Sequence, residues 1–333
     1  MILVITNKED VHPTTVIEIL NKRNIPVFRL NTECLLTDYD FTWWNSNGSS
    51  RFIIKNKLTG LTLDIEELTT VWDRRPKLPK KLPFQVSEAI NKHNLKEAAG
   101  FLRFLRSYIC SVPSIGSILY DEYASSKMEQ IAKAILVGFK VPITCFTNRQ
   151  EEVLAMACNH RELVLKSIAS DGIMENDKDT EYVFYTQKVS QQDIANAPKE
   201  AFTQTVSYVQ EYIPKAFELR VTVVAKKVFA CKLESQHLAD NEGKIDWRQG
   251  YEHGLKHEPF DLPDDISEKC IKFLDKMRLN FGAFDFIVTP SGEYVFLECN
   301  PNGQWLWIEM ETGLKISEAI ADALETGKGI TVY

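Results

Sequence analysis

Residues 281–305, FGAFDFIVTPSGEYVFLECNPNGQW, constrain this chain more than any other stretch. Two β-branched and aromatic runs flank Pro290-Ser291-Gly292-Glu293, so the segment reads as a hairpin closed by a tight turn. A symmetric turn pairs Thr289 with Tyr294 and sets Asp285 opposite Glu298. Side chains alternate along a strand, so Asn300 shares the face of Glu298, with Ile287 and Phe296 as apolar neighbours. Two carboxylates facing each other across strands repel. A cation between them reverses that cost, and an all-oxygen set of Asp285, Glu298 and Asn300 suits Mg²⁺ rather than Zn²⁺. Solvated acids on a surface hairpin are the alternative, but both faces of these strands are too apolar for it.

Composition limits what can surround such a hairpin. The chain has 333 residues, 44% hydrophobic and 26% charged, which suits two or three packed units. Its 39 basic and 46 acidic residues give a net charge of −7, against general nucleic-acid binding. No apolar run approaches the roughly 18 residues of a membrane span. The opening Met1-Ile2-Leu3-Val4-Ile5-Thr6 reads as a buried strand without signal-peptide features, so a cytoplasmic location is expected. The seven cysteines are widely spaced without a CxxC pair, and the histidines have no metal-ligand spacing. Neither a disulfide framework nor a thiolate zinc site is expected.

The first hundred residues begin strand, helix, strand, a βαβ start without a GxGxxG phosphate loop. Short strands follow over 41–72, then a Pro/Lys stretch from Pro76 to Pro83. Apolar periodicity predicts helices from Ser87 to Cys110 and from Ser126 to Val137. Strands are predicted at 163–168, 182–187, 207–213, 217–224, 228–235, 282–289 and 294–300, with helices near 190–197, 265–277 and 316–325. The fold class is therefore α/β and α+β. The expected units are 1–112, 113–205 and 206–333.

Several basic residues stand where phosphates would be met. Lys166 interrupts the apolar run Leu163-Val164-Leu165-Lys166-Ser167-Ile168, where it either meets an anion or reaches to water from an edge. Residues Ala169 to Gly172 after it form a loop able to close over phosphates. Lys127 opens a helix against its dipole, which an anion at that end would offset, though locally a solvated lysine is the favoured explanation. Glu218, Arg220 and Thr222 share one strand face. There Arg220 suits bidentate phosphate contact and Glu218 suits hydroxyl donors, although exposed Glu/Arg faces are common. Asp246-Trp247-Arg248 and Trp72-Asp73-Arg74-Arg75-Pro76 are Trp/Arg clusters that either hold an anion or pack structurally.

The order Lys, Lys, Gln-Glu-x-Ile, Glu-x-Arg, then Asp…Glu-x-Asn resembles the ATP-grasp superfamily of carboxylate–amine ligases over about residues 113–325, behind a βα pre-ATP-grasp unit. ECNPNGQWLWIE at 298–309, ELRVTVV at 218–224, DWR at 246–248 and WDRRP at 72–76 narrow the resemblance to the graspetide, or microviridin-type, peptide macrocyclases. The resemblance implies an ATP-grasp fold with ATP and Mg²⁺ as cofactors. By it, Lys127 and Lys166 touch ATP phosphates, Glu211 and Ile213 lie at the adenine hinge, and Glu218 binds the ribose. Arg220 faces the transferring phosphate, and Asp285, Glu298 and Asn300 hold the metal. Arg248 and Arg74 are candidate contacts to the substrate carboxylate or acyl phosphate. A precursor's leader peptide would dock over Tyr182 to Ile194, with Asp193 as a candidate contact, and the enzyme would be a homodimer.

The implied reaction is activation of an Asp or Glu side chain of a ribosomally made peptide as an acyl phosphate, then ring closure by a Ser/Thr hydroxyl or a Lys amine. Two other readings stay open. One is an ATP-grasp ligase acting on a small molecule or a protein tail. The other is a non-catalytic nucleotide- and peptide-binding adaptor.

Overall fold

The computed structural model describes all residues except 80–84, 117, 119–120, 161, 170–171, 176–179 and 239–240. Side chains at 121–122, 172–175, 180–183 and 251–252 also fall outside the description. Part of the Pro/Lys stretch, the middle of the loop after Lys166 and part of the segment before Asp246 therefore lie outside the described residues, as do the side chains at the start of the 182–194 region.

Ile2–Thr6 is buried on both faces, as a parallel strand between two layers must be. It lies between Val27–Asn31 and Thr70–Asp73, and Ser114–Ile115 extends the sheet, all in parallel. A three-stranded antiparallel sheet of Tyr39–Ser46, Ser49–Asn56 and Thr62–Asp64 follows. Helix Glu88–Tyr108 begins at Ser87, whose side chain caps Ile90 N–H, and buries Ala98, Leu102 and Leu105.

The central antiparallel sheet runs in the order Gln187–Val189, Leu163–Lys166, Ser207–Glu211, Thr144–Thr147. The segment expected as one strand over 182–187 is divided between Thr180–Val183, paired with Gly172–Glu175, and Gln187–Val189 in the central sheet. Although the expected C-terminal unit starts at 206, Ser207–Glu211 hydrogen-bonds within the central sheet.

The C-terminal sheet has five antiparallel strands: His257–Pro259, Lys227–Leu233, Phe217–Val224, Phe281–Val288 and Tyr294–Asn300. Helix Asp264–Met277 packs Ile266, Cys270, Phe273 and Met277 against one face, beside Leu219, Val221, Phe284, Phe286 and Phe296. The far end of the sheet shares a core with the N-terminal unit. Ile2, Val4, Val16, Leu20 and Trp72 are continuous there with Val224, Leu233, Trp305, Ile320 and Leu324. Thr70 Oγ1 also donates to Leu324 O at 2.6 Å across this seam.

The hairpin register contains two departures that cancel. Its turn is one residue wider than expected, so Val288 rather than Thr289 pairs with Tyr294. A bulge at Leu297 then restores the count, and Asp285 does face Glu298. The bulge also reverses the alternation. Phe296 pairs with Phe286 and joins the core behind the sheet instead of sharing the face of Glu298.

Candidate active site

A cavity of about 850 Å³ opens between the central and C-terminal sheets, and the pre-formed walls bring together residues from both. Lys127, Lys166, Glu211, Ile213, Glu218, Arg220, Arg248, Asp285, Glu298 and Asn300 all line it.

The acidic hairpin forms one wall. Arg220 sits beside Asp285 in strand register and donates from Nη1 to Asp285 Oδ2 at 2.7 Å. Asp285 Oδ1 is buried without a hydrogen-bond partner among the described residues. Burial raises the pKa of Asp285, Glu298 adds to the rise, and Arg220 opposes it. Glu298 behaves oppositely. Burial alone would raise it, but Lys127 and Lys166 outweigh burial and hold it at about 2.

Lys127 reaches Glu298 from the helix Lys127–Leu136, whose N-cap Ser126 accepts from Glu129 N–H. Its Nζ donates to Glu298 Oε2 at 2.5 Å, so a carboxylate offsets the lysine's charge at the helix end. Lys166 ends its strand opposite Tyr208, with Nζ 5.8 Å from the ring centre. Burial lowers its pKa, helped by Lys127 and opposed by Glu298 and Asp285.

The opposite side is built on neutralised acids. Glu218 Oε1 accepts from Lys215 Nζ at 2.6 Å and from Ser235 Oγ at 2.8 Å. Burial nevertheless raises its pKa. Glu211 accepts from Ile143 N–H at 2.9 Å, so its carboxylate braces the segment leading to Ile213. Arg248 makes a two-point contact with Asp246, Nε to Oδ1 at 2.9 Å and Nη2 to Oδ2 at 2.7 Å, with its guanidinium 5.6 Å from the Tyr185 ring centre. Asp246 also accepts from Thr186 N–H, and Arg248 overcomes burial to lower its pKa.

One expected substrate contact lies elsewhere. Arg74 is 1% exposed and is absent from the cavity wall. Its guanidinium lies 4.6 Å from the Trp305 ring centre and 3.1 Å from Asp10 Oδ2, so it cannot meet a substrate carboxylate. Its neighbour Arg75 lines the cavity instead. Asp193 turns back on its own helix, accepting from Ser190 N–H at 2.8 Å and Ser190 Oγ at 2.6 Å in a capping box. It lies in the segment expected to dock a leader, outside the cavity wall. The cavity also uses Lys215, Trp247, Gln304 and Trp307, which periodicity does not single out. A lysine three residues before Glu218 was the one available signal for Lys215.

The donor set fits a small hard cation. Two carboxylates and an amide oxygen line it together, one carboxylate oxygen lacks a partner among the described residues, and the neighbouring Cys299 is buried in the core behind the sheet. Among the described residues no group of three or more His, Cys, Asp or Glu forms a self-sufficient metal site. Any cation here would complete its shell with water or phosphate oxygens, as Mg²⁺ does.

Comparison with known proteins matches this architecture. The model of the MvdD pre-ATP grasp domain matches residues 1–117, and that of the RimK-like ATP-grasp domain matches residues 140–324. Among solved structures, the chain is similar to a Chryseobacterium gregarium RiPP-associated ATP-grasp ligase in complex with ADP and a leader and core peptide. That match has 28% identity and a TM-score of 0.90, covering 100% of this chain and 99% of that one. It is also similar to macrocyclase MdnC bound with precursor peptide MdnA from Microcystis aeruginosa, with 28% identity, a TM-score of 0.82 and coverage of 97% and 98%. Macrocyclase MdnB from the same organism matches with 28% identity, a TM-score of 0.77 and coverage of 98% and 99%. Comparison with curated protein sequences gives no significant match.

Fold and site together define an ATP-grasp ligase. The chain belongs to the RimK-like ATP-grasp family, and its N-terminal part is a pre-ATP-grasp domain of the MvdD type. Among the described residues no helix is long and apolar enough to cross a membrane.

Proposed function

We propose that this chain uses ATP and Mg²⁺ to close macrocycles in a ribosomally made precursor peptide. The observation that carries the reading is the one cavity that Lys127, Lys166 and Arg220 line together with Asp285, Glu298 and Asn300. Peptide-bound solved structures of similar ligases support the peptide as substrate.

Asp285, Glu298 and Asn300 would hold the metal. Bound Mg²⁺ supplies neutralisation of the phosphate oxygens. Lys127 and Lys166 orient the phosphates, the segment from Glu211 to Ile213 flanks the base, and Glu218 faces the ribose. Arg220 stabilises the charge of the phosphoryl group in flight. A peptide carboxylate oxygen bonds to the γ-phosphorus as ADP leaves, giving an acyl phosphate. A Ser/Thr hydroxyl or Lys amine then attacks the acyl carbon, and phosphate departs. The peptide loses one water per ring. Arg75 takes the carboxylate-steering role expected of Arg74, beside Arg248, because it is the one of the pair that reaches the cavity.

The leader would dock on the central unit near 182–194, where Gln187–Val189 is an edge strand of the sheet. Docking raises the local concentration of a weakly held core. The chain would act as three units, with the strand Ser207–Glu211 belonging to the central one, as a homodimer in the cytoplasm.

The test incubates the protein with ATP, Mg²⁺ and a leader–core peptide. Expected are peptide-stimulated phosphate release and loss of one water per ring by mass spectrometry. Phosphate release with an unchanged peptide mass would refute macrocyclisation.

A further inference from the structure

Asn300 ends its strand, and the chain turns at once. Asn302 N–H donates to Asn300 Oδ1 at 3.0 Å, and Gly303 N–H donates to Asn300 O at 3.2 Å. This turn is gripped from the N-terminal unit, more than two hundred residues away in sequence. Arg74 Nη1 donates to Asn302 O and to Gly303 O, each at 3.0 Å, and Arg75 Nε donates to Asn302 O at 3.0 Å.

The grip is itself fixed. Arg74 lies between Asp10 Oδ2 and the Trp305 ring. Asp10 is the N-cap of helix Val11–Lys22 and accepts from His12 N–H at 3.1 Å. Arg75 has a left-handed backbone, φ 49°, and its carbonyl accepts from Asn7 Nδ2 at 2.8 Å. On its other side the turn is packed without slack. A Cβ built on Gly303 would stand 2.3 Å from Ala283 Cβ and 2.9 Å from Arg220 Nη2. The turn therefore touches both the Asn300 amide and the Arg220 guanidinium.

A guanidinium on a residue only 1% exposed is a poor device for stability alone, since an apolar residue would fill the space at lower desolvation cost. Arg74 Nη2 even lacks a partner among the described residues. Its two bonds to consecutive carbonyls do fix direction, which an apolar residue cannot.

We propose that Arg74 is a positioning residue, seconded by Arg75. Through the turn at 301–303 it aims Asn300 Oδ1 and backs Arg220, so that metal-dependent nucleotide binding in the ATP-grasp domain depends on the N-terminal unit. The inference rests on the Mg²⁺–nucleotide reading of the cavity.

The test uses ADP binding to the full chain by calorimetry, once with Mg²⁺ and once in EDTA. Arg74→Lys keeps the charge but has one nitrogen in place of the Nη1 that faces the turn and the Nε that faces Asp10. The gain in ADP affinity that Mg²⁺ confers is expected to fall about tenfold in this variant, with affinity in EDTA unchanged. A folded variant with the full Mg²⁺ gain overturns the proposal, and so does an equal loss in both buffers, which marks a merely structural arginine. Should Arg74→Lys not fold, Asp10→Asn with Arg74→Met removes both buried charges and is judged by the same difference. If the unmodified protein binds ADP in neither buffer, the nucleotide reading itself falls, and the positioning role with it.

Discussion

At the residue scale, each acid of the hairpin is balanced by its own base: Asp285 by Arg220, and Glu298 by Lys127. The isosteric changes Asp285→Asn and Glu298→Gln remove a charge without opening a cavity. Each is expected to lower peptide-stimulated phosphate release at least about 100-fold while the thermal midpoint moves by only a few degrees. Wild-type turnover in either variant would remove the hairpin from the reaction. These acids were legible because a carboxylate inside an apolar strand is anomalous on its own. The division of labour between Arg74 and Arg75 was not legible. Adjacent residues carry the same charge, and only the seam with Trp305 and the 301–303 turn decides which is buried and which meets the cavity.

At the element scale, the hairpin and the turn after it act as one unit. Gly303→Ala is expected to push the turn away from Ala283 and Arg220, costing about 1–3 kcal/mol of stability and at least about tenfold in turnover. Denaturant unfolding and phosphate release measure the two losses, and an unaltered protein on both would show that the turn has room to spare. The elements themselves were largely legible from periodicity, since helix Asp264–Met277 and strand Phe217–Val224 fall where apolar spacing places them. The bulge was not. An extra residue leaves no mark in the alternation until the partner strand is known, and here a wider turn concealed it. The facing carboxylates were thus anticipated correctly through a register that was not, and Phe296 shows the difference.

At the scale of the whole molecule, the seam between the N-terminal unit and the C-terminal sheet contains a pH-sensitive group. His12 lies 4.5 Å from the Trp305 ring centre, with Nδ1 unpartnered among the described residues. Burial pushes its pKa from 6.5 to about 4, Arg74 and Arg75 push the same way, and Asp10 opposes them. A depressed histidine leaves the unfolded chain binding the extra proton first. Stability is complete above pH 6.5 and is lost as pH falls toward 4. Between pH 7 and pH 5 the loss from this group is about 2 kcal/mol. His12→Phe is expected to remove that part of the pH dependence in urea unfolding, and an unchanged slope would assign it elsewhere. The shared core at this seam had no signature in the sequence, because each unit's apolar residues read as its own core until the units are placed together. The same seam equips the protein with an optical gauge. Trp72 and Trp305 lie 5.8 Å apart, essentially without solvent contact, directly behind the turn that Arg74 grips. Their emission belongs at the blue end of the indole range and out of reach of a dissolved quencher. Any parting of the seam would therefore be visible as a red shift and a new susceptibility to quenching, with no label attached.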